Sequence, residues 1–242
     1  MPAHAGGNAA VPAPKEGAST ALAAVPRFTA WVALGGNLGD VPATFAAALS
    51  QLAGLPGTGL LGVSALYHTA PWEAQGPQFT NAVAALHTAL GAEELLGAML
   101  RTEALLGRAR PYVNAPRTLD LDLLALGDRQ SATPFLMLPH PRAHQRAFVL
   151  APWAELQARL RQVGLRAWQA AHAGDAPDAP EPSGAPYDPG APGAPEPWPA
   201  LPPAATIAAL CAEQGAAEAF APLGAGWLQA DPAGGWRAVL PR

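Results

Sequence analysis

Two aspartates two residues apart, Asp120 and Asp122, interrupt a leucine-rich run, RTLDLDLLAL, at residues 117–126. The run has the composition of a β-strand buried on both faces. Side chains alternate across a strand that rises about 3.3 Å per residue, so both carboxylates fall on one face, about 6–7 Å apart at Cα. Two like charges on an apolar strand must be solvated, protonated or neutralised by something positive. No lysine lies near them, but Arg108 and Arg110 precede the strand, Arg117 opens it, and Arg146 follows beyond His140 and His144. Guanidinium groups fork onto phosphate oxygens, and carboxylates suit Mg²⁺ that still holds waters and substrate phosphate. Together these residues describe a polyphosphate site, and without a GxxxxGK[ST] loop it is not of the P-loop kind. The alternative is structural, with the aspartates paired to the arginines or exposed on an edge strand. The four-residue spacing of His140 and His144 fits a zinc pair, yet PRAHQ between and around them has no acidic ligand, and Pro141 disfavours a helix there. Phe79 and Phe148 fit a core as well as a stacking site, and Asn81 could face solvent.

The elements that must position these residues are legible from periodicity. FTAWVALG from Phe28 reads as a buried strand, and GGNLGD after it as a turn whose Asp40 caps a helix over 41–53 carrying Phe45, Leu49 and Leu52. LLGVSALYHT reads as a second strand and FTNAVAALHT as a third. GAEELLGAMLRTEALLGR reads as a helix with Leu95, Met99, Leu105 and Leu106 on its apolar stripe. The aspartate strand comes next. The order strand, helix, strand, strand, helix, strand predicts an α+β, ferredoxin-like βαββαβ antiparallel sheet with helices on one face. A helix is expected over 153–172, a short one over ATIAALCAEQG, and a small hairpin in the tail. Residues 1–26 read as a disordered leader and 27–172 as the catalytic domain. Residues 173–204, with eleven of the 28 prolines, read as an insertion, and 205–242 as a helix and tail completing the domain.

The 242 residues are 50% hydrophobic and 13% charged, enough for one sizeable core, and the net charge of −4 argues against a nucleic-acid binder. Cys211 is the only cysteine, so neither an intrachain disulfide nor a cysteine metal cluster can form. The N-terminal stretch lacks a basic n-region and an apolar core, and no apolar run is long enough to cross a bilayer. A cytoplasmic protein with no nucleic-acid or membrane partner is expected.

The series LGGNLGD, YHTAPW, QFTNAV, GRAR, PRTLDLDLL and LPHPRAHQRAFVLAPWAE, in this order over residues 34–155, closely resembles the 6-hydroxymethyl-7,8-dihydropterin pyrophosphokinases of folate biosynthesis. The resemblance implies transfer of a pyrophosphoryl group from MgATP to the hydroxymethyl group of a reduced pterin, leaving AMP. It implies small-molecule substrates, ATP and the pterin, and two Mg²⁺ ions on Asp120 and Asp122. Arg110, Arg117, His140 and Arg146 match triphosphate contacts, Arg108 a further one, and Glu103 a nucleotide contact. Phe79 and Phe148 match rings that sandwich the pterin, and Asn81 matches the residue that reads its polar edge. Thr69 and Pro71 match the loop completing that pocket, while Gly36 and Asn37 match the turn after the first strand. The loop between Arg110 and Arg117 is one residue shorter than in well-known members. Two other classes fit the bare residues: a ferredoxin-like module that binds without turnover, and a nucleotidyl or glycosyl transferase using the aspartate pair.

Overall fold

The computed structural model describes residues 28–69, 77–107, 116–171, 201–214 and 227–239. The expected leader, most of the expected insertion, Pro71, Arg108 and Arg110 lie outside the described residues.

An antiparallel sheet organises the molecule. Its strands are β1 (Phe28–Gly36), β2 (Gly59–Val63), β3 (Tyr67–Thr69), β4 (Phe79–Thr88) and β5 (Asp120–Leu126), in the order β2-β4-β1-β5 with β3 also on β4. The central strands β1 and β4 are buried along most of their length, as strands covered on both faces are. Alternation divides them cleanly. Ala30, Val32 and Leu34 of β1 and Ala82, Ala84 and Leu86 of β4 join a core with Phe45, Leu49 and Leu52 of α1 (Val41–Ala53) and Leu95 and Met99 of α2 (Ala92–Leu105). Trp31, Val83 and Ala85 point the other way, onto Val149, Trp153 and Leu156 of α3 (Ala147–Ala171). The expected pair of helices therefore shares one face, and a third helix, beginning six residues before the expected start, covers the other. Pro152 lies inside α3 and withholds a donor from the Phe148 carbonyl.

Local chemistry explains most boundaries. Asp40 Oδ1 accepts the Ala43 N–H at 3.0 Å and starts α1. The expected single second strand is two, because the chain leaves its ladder at Ser64, whose side chain accepts the Val83 N–H at 3.0 Å in place of a main-chain carbonyl. The Ser64 carbonyl then takes the Trp227 indole N–H at 2.9 Å. Leu105 was expected on the α2 stripe but is 75% exposed. The buried α2 positions are Leu95, Ala98, Met99, Thr102 and Glu103, so a carboxylate takes the place a leucine was expected to fill.

Beyond β5, a small β6–β7 hairpin (Ser131–Ala132, Met137–Leu138) occupies what the sequence read as irregular. The short helix appears as α4 (Ala204–Gln214), and the tail hairpin as β8 (Leu228–Ala230) and β9 (Trp236–Ala238). Among the described residues no helix is long and apolar enough to cross a membrane.

Candidate functional site

The sheet register assembles the site. Asp120 pairs with Gly35 and Asp122 with Ala33 across β5 and β1, so the two carboxylates share a face as their spacing required. Gly35 in turn pairs with Asn81 of β4. Asp120, Gly35 and Asn81 therefore form one row across three strands on the α3 side of the sheet, the same face as Val83 and Ala33. Phe79 lies two residues before Asn81 on that face. Phe148, in the first turn of α3, packs against the same cluster.

Gly35 is the low point of the row. A Cβ there would stand 3.3 Å from Asn81 Oδ1 and 3.9 Å from Asp120 Cβ, filling the space between the acidic and amide ends. Its neighbour Gly36 has a different reason to be glycine, because a Cβ would come within 2.6 Å of the Thr118 carbonyl oxygen.

Each aspartate has an arginine, and each arginine has a ring. Arg117 Nη2 lies 2.8 Å from Asp120 Oδ2, and its guanidinium carbon is 5.6 Å from the centroid of Phe79. Arg146 Nη1 lies 3.4 Å from Asp122 Oδ2 and its guanidinium carbon 5.7 Å from the centroid of Phe148. The neutralising charges that the sequence demanded are thus supplied by arginine, and the structural alternative of aspartate–arginine pairing is present in the molecule. Ion pairing does not exhaust these groups. Arg117 Nε is buried with no hydrogen-bond partner among the described residues, a donor suited to an anionic oxygen.

His140 stands beside the second pair. Its backbone N–H donates to the Leu124 carbonyl at 2.8 Å, and its Nδ1 accepts the Arg142 N–H at 3.2 Å, which leaves Nε2 to carry the proton of a neutral ring. Burial lowers its pKa from the ordinary histidine value, Asp122 opposes that, and Arg146 reinforces it. The neutral, Nε2-protonated ring is a donor without a charge.

Asn37 holds the two halves together. Its N–H donates to the Arg117 carbonyl at 2.9 Å, its Oδ1 accepts the Arg117 N–H at 2.8 Å, and its Nδ2 donates to the Pro77 carbonyl at 3.2 Å. One side chain thereby fixes the entry to β5, with Arg117, relative to the entry to β4, with Phe79. On β4 itself Asn81 Nδ2 donates to Thr69 Oγ1 at 2.8 Å, and both residues are buried.

Glu103 occupies an unexpected place. It is 1% exposed, and its Oε1 accepts the N–H of Leu121, between the two aspartates, at 2.7 Å. β5 is the last strand of the sheet, so this carboxylate satisfies the open edge where the aspartates are carried. The Thr118 hydroxyl, donating to the Leu106 carbonyl at 3.1 Å, ties the same helix to the same strand.

Of the residues singled out from sequence, Asp120, Asp122, Arg117, Arg146, His140 and Phe148 gather around the β5 end, and Phe79, Asn81 and Thr69 gather on β4 and β3. Glu103 sits beneath them, and Arg108, Arg110 and Pro71 fall outside the described residues. Gly35 was not singled out; its signal was the Gly-Gly pair ending β1. Among the described residues no group of three His, Cys, Asp or Glu side chains could hold a metal alone. A two-carboxylate oxygen site does fit Mg²⁺, which takes its remaining ligands from water and phosphate.

Comparison with known proteins agrees with this geometry. Residues 31–158 match the family described as 7,8-dihydro-6-hydroxymethylpterin-pyrophosphokinase (HPPK). The chain is 44% identical over 132 residues to a Pseudomonas aeruginosa protein, covering 54% of this chain and 82% of that one. A Methylorubrum extorquens protein is 41% identical over 128 residues, covering 52% and 81%, and a Bacillus subtilis protein is 36% identical over 151 residues, covering 58% and 90%. All three are named 2-amino-4-hydroxy-6-hydroxymethyldihydropteridine pyrophosphokinase. The match spans β1 to the middle of α3, every described residue of the row and both arginine–aspartate pairs included, and the chain belongs to the HPPK family.

Proposed function

We propose that this protein transfers pyrophosphate from MgATP to the hydroxymethyl group of 6-hydroxymethyl-7,8-dihydropterin, in folate biosynthesis, giving AMP and the pterin diphosphate. The observation that carries the site assignment is the row Asp120–Gly35–Asn81, in which an acidic phosphate-side group and an amide reader face each other across a glycine. The hydroxyl oxygen forms a bond to the β-phosphorus while the bond from that phosphorus to the α,β-bridging oxygen breaks, and AMP leaves with that oxygen. Asp120 and Asp122 are the residues that would hold Mg²⁺, in our reading two ions, which neutralise the phosphate charge that builds on the transferring group.

The chain's own residues do the rest. Arg117 and Arg146, with Arg108 and Arg110 from the preceding loop, bind the triphosphate oxygens, and His140 adds a neutral donor. The observed ion pairs keep carboxylates and guanidinium groups ordered, and with the carboxylates holding Mg²⁺ the guanidinium groups would be available to phosphate. Phe79 and Phe148 hold the pterin ring between them, Asn81 reads its polar edge, and Thr69 and Pro71 close that side. We read the strand order as ferredoxin-like, with residues 27–172 and 205–242 forming one catalytic domain interrupted at 173–204. We read the site of action as cytoplasmic.

An end-point assay with MgATP and 6-hydroxymethyl-7,8-dihydropterin tests this reading. AMP and the pterin diphosphate should appear in equal amounts. Binding of a pterin analogue with no AMP release would identify a non-catalytic binder, and AMP release independent of pterin would point to another transferase.

A further inference from the structure

We propose that Gln214, the last residue of α4, is a positioning residue for Arg146. Its amide grips the two peptides on either side of that arginine: Oε1 accepts the Ala147 N–H at 2.8 Å, and Nε2 donates to the Gln145 carbonyl at 2.6 Å. Those two groups are the ones the local fold leaves unserved. A short 3₁₀ turn ends at Gln145 and α3 begins at Ala147, so Arg146 is one extended residue, φ −115° and ψ 103°, between two helical segments. The first N–H groups of a helix have no partner within it, and the chain's later segment supplies one.

The consequence falls on the guanidinium. Its contact to Asp122 is long, at 3.4 Å, and the backbone that carries it turns at one extended residue whose own N–H bonds the Ala143 carbonyl and whose carbonyl accepts the Val149 and Leu150 N–H groups. Clamping the two adjoining peptides completes that set and fixes the direction in which the Arg146 side chain leaves the turn. α4 is itself anchored, since Ile207 is buried and Leu201 packs against the cluster that contains Trp153 and Leu156. Gln214 lies 56 residues beyond the end of the family match, counting from 158 to 214, so a segment outside that match orders a group within it.

This inference rests on the triphosphate role given to Arg146, and a double-mutant cycle separates the two. Steady-state kinetics and thermal unfolding are measured on the full chain for Gln214→Ala, Arg146→Ala and the pair, with Gln214→Met as a variant of similar length that keeps the bulk and loses both hydrogen bonds. Gln214→Ala should lower kcat/KM for ATP about tenfold, the order expected for a displaced catalytic group, while shifting Tm by only about 4 °C. Gln214→Met should match Gln214→Ala, because the hydrogen bonds and not the bulk hold the turn. In the Arg146→Ala background the Gln214→Ala change should cost no further kcat/KM. An unchanged kcat/KM in Gln214→Ala, or an equal penalty in both backgrounds, would overturn the inference and leave the role of Arg146 standing. Wild-type activity in Arg146→Ala would overturn both.

Discussion

Asp120 and Asp122 carry the same chemistry in unequal surroundings. The Asp120 side chain is 14% exposed against a 2.8 Å partner, whereas that of Asp122 is 37% exposed against a partner at 3.4 Å. From the sequence alone, removal of either charge was expected to relieve repulsion and leave stability unchanged or higher. The arginine pairing alters that expectation, because Asp120→Ala strands a guanidinium whose Nε is already buried without a partner among the described residues. Both alanine variants should lose turnover by about a hundredfold or more, as for a removed charge-stabilising group. Asp120→Ala should also lose about 1–3 kcal/mol of stability, the cost of a half-buried group left unpaired, while Asp122→Ala should stay within about 1 kcal/mol. Denaturant titration beside the AMP assay checks both, and turnover near normal in either variant would make the pair structural. Gly35 gives the complementary test. Gly35→Ala adds one methyl to the floor between Asp120 and Asn81, so kcat should fall about tenfold or more at nearly unchanged Tm. A fully active Gly35→Ala would show that the reacting groups do not meet over that residue. The carboxylates, arginines and rings were legible in the sequence because residue type and strand alternation are local properties. Gly35 was not, since its meaning lies in what two neighbouring strands place beside it.

Elements hold these residues through contacts that no local pattern announces. Glu103 sits on the buried stripe of α2, and its acceptor bond to Leu121 closes the open edge of β5 between the two aspartates. From its position in the motif series it was expected to touch nucleotide. The observed bond instead predicts a split between substitutions: Glu103→Gln keeps a carbonyl acceptor and should retain most activity, whereas Glu103→Ala frees the Leu121 amide. Hydrogen exchange at Leu121 should accelerate in the alanine variant, and its Mg²⁺ requirement should rise. A variant that raises only the KM for ATP, with Leu121 still protected, would restore the nucleotide role. On the far edge, Tyr67 OH donates to Glu155 Oε2 at 3.0 Å and links β3 to α3. Burial, then the charge and hydrogen bond of Glu155, raise the tyrosine pKa well above its ordinary value. A folded-state pKa raised in this way contributes stability that is complete below about pH 10, the unfolded value, and is lost as pH climbs toward the folded one. Tyr67→Phe should therefore cost about 1–3 kcal/mol at neutral pH and show a shallower loss of stability above pH 10 than the wild type. Equal alkaline slopes in the two proteins would place the titration elsewhere. The split of the second strand and the early start of α3 escaped the sequence for different reasons: Ser64 replaces a ladder bond from its side chain, and the helix runs through Pro152 to a start six residues earlier than its periodicity predicts.

At the scale of the whole molecule, the sheet and its two flanking helices were legible because their periodicities are long and uninterrupted, while the way the chain closes on itself was not. The closing segment is the tail. Trp227 is 1% exposed, its ring meets Phe45 of α1 edge-on at 6.3 Å, and its indole N–H serves the Ser64 carbonyl where β2 gives way to β3. The Ser50 hydroxyl of α1 accepts the Trp236 N–H at 2.7 Å and binds that strand as well. These contacts join residues 227–239 to the core that supports β1 and β4, and Leu201 and Ile207 seat the α4 segment, whereas residues 175–200 have a proline-rich composition without the apolar periodicity needed to join a core. The two segments should therefore respond in opposite ways to removal. Replacing 175–200 by a Gly/Ser linker of equal length should leave Tm and AMP release close to wild type, because the linker asks nothing of the core and still returns α4 to its place. Ending the chain at residue 172 should fail, since it takes Trp227 from the core along with Gln214 from the Arg146 turn. Trp227→Ala in the full chain isolates the first of these losses, and it should cost about 3–5 kcal/mol, as for other large aromatic truncations in cores. Thermal unfolding of the three proteins, read beside their AMP release, decides the matter. A truncated chain as stable and active as the full one would place the end of the catalytic domain at α3, and loss of activity on linker replacement in a protein with normal Tm would give the proline-rich segment a direct part in the reaction.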